Sequence, residues 1–260
     1  MAYEFVKVDR EGPITVVTLN RPEVMNALHS PAHFELGEVF DAFAADPEQW
    51  VAIVTGAGDR AFSAGNDLKH QATGGKMGQP PSGFAGLTTR FDLNKPLIAA
   101  VNGVAMGGGF EIALACDIIL ASETAVFALP EPRVGLAALA GGLHRLPRAI
   151  GTKRAMSMIL TARRVSAAEG KELGFVAEVA APADLMAMAR TWAKGICELG
   201  PMSIRASKEA VYKGLDEPSL EAAMKGQSHY PAIAALYRSA DFVEGPLAFS
   251  QKRAPQWKGR

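Results

Sequence analysis

IAAVNGVAMGGGFEIALACDIILASETAVFALPE, from Ile98 to Glu131, sets Glu111 and Glu131 downstream of a run of three glycines. Its first part, Leu97 to Val101, is a continuous apolar run after Pro96, too short for a helix and the right length for a strand buried on both faces. That strand delivers Gly107, Gly108 and Gly109 to the start of Phe110 to Cys116, which is apolar apart from Glu111 and rich in helix formers. The first amides of a helix have no internal partner and sit at the positive end of its dipole, so a glycine-lined start can hold an anion or a developing oxyanion. Glu111 falls in that first turn, where the dipole alone favours an acid without any chemistry. Glu131 lies between Pro130 and Pro132, after a strand-like run around Val126 to Ala128, so its neighbours stiffen it. Alone it reads as a surface turn residue; together the two glutamates read as a site.

The 260 residues suffice for one large domain, or one with an appendage, and for a substantial core. An apolar share of 48% and a charged share of 21% are those of a soluble globular protein, and a net charge of zero calls for neither nucleic acid nor an anionic membrane. MAYEFVKVDREG lacks the apolar segment of a signal peptide, and no later apolar run approaches bilayer length, so the expected location is the cytoplasm. Cys116 and Cys197 have no second ligand at metal spacing and read as reduced thiols. The five histidines are equally scattered, so no metal site is expected.

Outward from the centre, Glu4 to Val8 and Ile14 to Leu19 form a hairpin pattern about Glu11-Gly12-Pro13. Ser30-Pro31 reads as a helix cap, with Phe34, Val39, Phe40 and Phe43 as the buried face up to Asp46-Pro47. A strand, Val51 to Thr55, leads into Gly56-Ala57-Gly58-Asp59-Arg60-Ala61. That glycine pattern superficially matches a dinucleotide-binding turn, but no helix opens there, so the match is rejected. Gly74 to Gly86 reads as a long loop, either a lid or a tolerated insertion. Helical patterns follow at Leu143 to Ile150 and Lys153 to Leu160, and Ser166-Ala167-Ala168-Glu169 has capping-box spacing for a helix closed near Gly174. A strand, Phe175 to Val179, precedes a helix carrying Leu185, Met188, Ala189, Trp192 and Ile196 at core spacing. From Pro201 the chain reads as helices broken at Gly214, Pro218 and Gly245-Pro246. The expected fold is α/β, with residues 1–200 as a core carrying the site and 201–260 as a helical C-terminal region.

FSAGNDLK at Phe62 to Lys69, AVNGVAMGGGFEIALACD at Ala100 to Asp117 and FALPEPRVG at Phe127 to Gly135 together resemble the enoyl-CoA hydratase/isomerase, or crotonase, superfamily. The resemblance runs from LNRPEVMNAL to the ending EGPLAFSQKRAPQWKGR. GFAGLT, FALPE and that ending are most similar to a hydro-lyase branch whose acyl group carries a trimethylammonium. The resemblance implies a spiral of ββα units in two near-perpendicular sheets, with C-terminal helices used for homotrimers that often pair into hexamers. It places two oxyanion-hole amides on Ala64 and Gly108, and catalytic carboxylates on Glu111 and Glu131. It lines an acyl-CoA channel with Ala27, Leu28, Gly65, Asn66 and Asp67, and brings Phe249 and Lys252 to a neighbouring subunit's CoA. The implied reaction is reversible hydration of a 2-enoyl-CoA, with CoA entering as part of the substrate and no separate cofactor. Isomerase, thioester hydrolase and non-catalytic or RNA-binding members of the superfamily are the alternatives; two intact glutamates and a neutral chain favour hydration. Leu139 stands where many relatives carry glycine or an acid. Phe84 and Phe91 are candidate aromatic faces for a substrate cation, or simply loop packing.

Overall fold

The computed structural model describes residues 3–75 and 78–260; Lys76 and Met77, in the expected loop, lie outside the described residues. The hairpin forms as β1 (Val6–Glu11) and β2 (Ile14–Leu19), paired Val6 with Leu19 and Glu11 with Ile14. Gly12 takes the left-handed conformation at the bend, and β1 begins two residues later than its sequence pattern suggests because the Glu4 and Phe5 amides donate to the Glu35 carboxylate. In α1 (Ser30–Ala45) the N-cap position falls on His29, whose side chain makes no capping bond, and Ser30 is the first helical residue. Val39, Phe40 and Phe43 are buried as expected, but Phe34 is 47% exposed on the outer side.

Strands then come in pairs. β3 (Val51–Gly56) is followed by β4 (Ala61–Ser63) and the short α2 (Leu68–Ala72); β5 (Leu97–Val101) by β6 (Val104–Met106) and α3 (Gly108–Ala115); β7 (Ile118–Ser122) by β8 (Val126–Ala128). The first strand of each pair enters a large sheet and the second a small one, a spiral of repeated units. α4 (Gly142–Ile150), α5 (Thr152–Thr161), β9 (Val165–Ser166), α6 (Ala167–Leu173), β10 (Glu178–Ala180) and α7 (Leu185–Cys197) complete this part. The sheets have strand orders β1-β2-β3-β5-β7-β10 and β4-β6-β8-β9. β2, β3, β5 and β7 are parallel and covered on both faces, which is why they read as unbroken apolar runs. Ile98 and Ala100 face Leu185, Ala189 and Ala193 of α7, while Leu97, Ala99 and Val101 face the larger core. In that core Phe110, Phe127 and Phe175 meet in a three-ring cluster with centroids 5.1–5.2 Å apart. Packing there takes Phe175 out of the strand expected at Phe175 to Val179, leaving only Glu178–Ala180 to pair with β7.

Ser166 caps α6 by accepting the Glu169 N–H, and left-handed Gly174 closes it, as the capping box predicts. The C-terminal region is α8 (Pro201–Asp216), α9 (Leu220–Gly226), α10 (Pro231–Arg238) and α11 (Ala240–Ser250). Gly214 and Gly245-Pro246, expected as breaks, lie inside α8 and α11; the break at Pro218 is present. α8 is fastened to the core by Asp117, which accepts from Leu97 N (2.7 Å), Lys208 Nζ (2.8 Å) and Tyr212 Oη (3.0 Å). No helix among the described residues is long and apolar enough to cross a membrane.

Candidate active site

The site is assembled where the glycine turn before α3 meets the turn after β4. A Cβ on Gly65 would stand 2.8 Å from Gly108 N and 2.6 Å from Met106 O, so only glycine lets the two turns close on each other. A Cβ on Gly109 would run into the Ser63 carbonyl, which fixes the α3 start against β4. Gly107 has φ of 53°, and a Cβ there would lie 2.9 Å from Oε1 of Glu131. The glycine at 107 thus admits the Glu131 carboxylate.

Glu111, in the first turn of α3, is only 3% exposed. Its Oε1 accepts the Gly142 N–H at 2.9 Å, a donor free to serve because it lies at the start of α4. Burial raises its pKa to about 7, the neighbouring Glu131 charge pushes the same way, and the Gly142 and Ala140 amides and the Arg145 charge oppose. Glu131 begins a single 3₁₀ turn, Glu131–Val134, after β8, and burial raises its pKa as well. Its Oε2 is buried and has no hydrogen-bond partner among the described residues. An isolated buried carboxylate is costly, so this oxygen is stable there only when protonated or when a ligand group meets it. The sequence pairing of Glu111 with Glu131 is realised in space.

The expected oxyanion donor Ala64 is corrected. Its N–H donates to the Met25 carbonyl at 2.9 Å, and Gly65 N–H donates to Ser63 Oγ at 3.1 Å. Asn66 forms a parallel bridge with Leu28 in which Gly65 O and Asp67 N make both bonds, 2.8 Å each. That leaves the Asn66 N–H without an acceptor among the described residues, as is Gly108 N at the opening of α3. Gly108 and Asn66, rather than Gly108 and Ala64, are the two open amides. The sequence missed this because Met25, at φ of 59°, turns its carbonyl back onto Ala64 from 39 residues away, a contact no local pattern encodes.

Of the expected channel residues, Ala27, Leu28, Gly65, Asn66 and Asp67 come together through that bridge. Leu28 is 1% exposed, so only its backbone can face a ligand. The Asp67 carboxylate is held by Arg21 (2.9 Å) and caps α2 through His70 N (3.1 Å). Phe249 (88% exposed) and Lys252 lie at the far end of α11, which packs on α8 and α10, and do not reach this site within the chain. Leu139 is 80% exposed at the turn before Gly142. Phe84 is buried: its ring covers Gly108 and lies 4.3 Å from the His33 ring, while His33 Nδ1 accepts Ala85 N–H at 3.0 Å. Burial holds the His33 pKa down at about 4, so it stays a neutral acceptor. This end of the loop is therefore a packed wall, not a free lid. Sequence reading also overlooked Gly142 as the anchor of Glu111, although the pair Gly141-Gly142 before a helical pattern was a signal for a helix start.

A paired-strand spiral, one buried and one half-buried glutamate and two open amides at a glycine seam are the attributes of one enzyme class, and the chain belongs to it: the enoyl-CoA hydratase/isomerase family pattern matches residues 9–260. Among individual proteins, the chain is 44% identical over 264 residues to a carnitinyl-CoA dehydratase of Salmonella typhi and to one of Escherichia coli strain K12, covering 99% of both chains in each case. Its structure is similar to an enoyl-CoA hydratase from Mycobacterium marinum (TM-score 0.92, 36% identity, 98% of this chain and 99% of that one). It is also similar to a carnitinyl-CoA hydratase from Mycobacterium avium (TM-score 0.78, 37% identity, 98% and 99%).

Proposed function

We propose that the chain is a hydro-lyase that adds water reversibly across the 2,3 double bond of a 2-enoyl-CoA, giving a 3-hydroxyacyl-CoA. The observation that carries this reading is the pair of neighbouring carboxylates, Glu111 buried and Glu131 half-buried with its Oε2 unpartnered, beside two open amides. Glu111, its Oε1 already holding a backbone amide, takes a proton from water as the water oxygen bonds to C3. The π electrons move onto the thioester oxygen, and the amides of Gly108 and Asn66 hold the resulting enolate; one such donor is worth about 3–4 kcal/mol of barrier. Glu131, whose unpartnered Oε2 favours the protonated form, delivers its proton to C2. One glutamate gains the proton that the other loses, and exchange between them or with solvent resets the pair. Substrate and product are at the same oxidation level, so the reaction calls for no redox cofactor, and CoA arrives with the substrate.

For the acyl group we propose crotonobetainyl-CoA, with plain crotonyl-CoA as a second substrate, because two relatives 44% identical over the full length bear the name carnitinyl-CoA dehydratase. Phe84 is enclosed by Gly108 and His33, which favours packing over cation binding, while Phe91 is 80% exposed and its ring already has the Arg145 guanidinium 5.7 Å from its centroid. Val211, Leu215, Leu220, Met224 and Val243 are all more than half exposed on the C-terminal helices, which supports homotrimers or pairs of them. In such an assembly Phe249 and Lys252 serve the neighbouring CoA. Cysteines that remain free thiols fit a cytoplasmic enzyme. The test is loss of enoyl-thioester absorbance with crotonobetainyl-CoA and with crotonyl-CoA, no cofactor added. Inertness toward both refutes the hydratase; a large preference for the uncharged thioester refutes only the carnitine assignment.

A further inference from the structure

Arg145 has no part in the chemistry above, yet it is half-buried next to the site and has no carboxylate within ion-pair distance among the described residues. An unpaired guanidinium in such a place is costly unless the structure uses it. It sits in the first turn of α4, three residues after Gly142, the residue that anchors Glu111. Its Nη2 donates to the Thr88 carbonyl at 2.8 Å, and its guanidinium lies 5.7 Å from the Phe91 ring centroid. Thr88 and Phe91 belong to the same turn as Phe84, whose ring covers Gly108. A Cβ on Gly141 would collide with Nη1, so that glycine is what lets the side chain fold over its own helix start. One side chain therefore touches the turn that roofs the open amide and springs from the turn that holds the base.

We propose that Arg145 is a positioning residue: a half-buried cation that ties the turn from Phe84 to Phe91 to the start of α4, and so holds the Glu111 carboxylate and the Gly108 amide in register. The inference rests on the reading of Glu111 as the base. The charged and titratable groups around Glu111 are Glu131, which opposes its ionisation, and Arg145, which favours it, beside the amides of Gly142 and Ala140. Those around Arg145 are Glu111, Tyr212, Cys116 and Arg148. Only Arg145 supplies positive charge to Glu111 among these. Removing it must raise the proton affinity of Glu111, so less of the base is ionised at neutral pH and the acid limb of the rate profile moves to higher pH.

The experiment uses the full chain with Arg145→Met, which keeps the bulk, and Arg145→Lys, which keeps the charge but not the planar fork. The carboxyl of Glu111 is titrated by carbon-13 NMR on glutamate-labelled protein, its signal assigned by difference from Glu111→Gln, and kcat and KM for crotonyl-CoA are measured across pH. Arg145→Met is expected to raise the Glu111 titration and the acid limb together, and to lower kcat about 100-fold through misplacement of the roof over Gly108. Arg145→Lys is expected to keep the wild-type titration while still losing turnover. An unmoved titration in Arg145→Met overturns the proposal. If that variant does not fold, Arg145→Lys decides: wild-type turnover in it overturns the proposal, and lowered turnover with an unmoved titration upholds it. The titration needs no turnover, so a wild type inert toward enoyl-CoA refutes the hydratase while Arg145 is still judged on the Glu111 signal.

Discussion

Glu111→Gln should make the protein more stable and nearly inactive, and the gain in stability should depend on pH. Glu111 is 3% exposed, and burial lifts its pKa to about 7 in the folded chain, against an ordinary glutamate value of about 4.3 in the unfolded one. Between those values the folded state binds the extra proton. Stability is therefore fully present below the unfolded pKa and is lost as pH rises to the folded one. A shift of roughly 2.5 units at about 1.4 kcal/mol per unit is a cost of about 3.5 kcal/mol once the group is ionised. Glutamine cannot ionise, and its oxygen can still accept the Gly142 N–H. At about 2–4 °C per kcal/mol for a chain of this size, the variant should melt roughly 7–14 °C above wild type under mildly alkaline conditions. The gain should shrink toward zero near pH 4. The assay is thermal unfolding of both proteins at two pH values and one protein concentration, because assembly also shifts the melting point. A gain of equal size at both pH values, or none in alkali, refutes the buried-ionisation argument.

Glu131→Gln should lose most turnover while keeping acyl-CoA affinity, and the double variant with Glu111→Gln should lose little beyond the worse single, since both groups act on one addition; additive losses would assign them to separate steps. Asn66→Pro removes an amide that the fold does not use, and should lower kcat by about 10²–10³ with the oligomer intact by gel filtration; near-normal kcat would return the oxyanion role elsewhere. Lys252→Ala should weaken binding of acyl-CoA far more than of an acyl-pantetheine lacking the nucleotide, if that lysine meets phosphate charge from a neighbouring subunit. Equal effects on the two ligands would exclude it.

The parts of the site that sequence reading located are those written locally. Glu111 follows a glycine run that can only open a helix, Glu131 is locked between two prolines, and the paired strands show as short apolar runs. Ser166 and Gly174 likewise carry their own geometry. What escaped depends on partners distant in sequence. Ala64 and Asn66 are two residues apart in one turn, and only the Met25 carbonyl decides which amide stays open. Gly214 and Gly245-Pro246 look like breaks, yet tertiary packing carries α8 and α11 through them, as it routinely overrides propensity. Phe34 has the spacing of a core residue but falls on the solvent side of α1, where only the third dimension could have put it.

Phe110 is the residue before Glu111, and Phe127 sits at the centre of the strand that ends three residues before Glu131. Their rings, closed by Phe175, meet in the buried core. The segments that carry Glu111 and Glu131 are thus braced against each other by hydrocarbon. A close-packed interior does not yield by fractions of an ångström. The two acids, one of whose charges opposes ionisation of the other, stand on backbone clamped by three benzene rings.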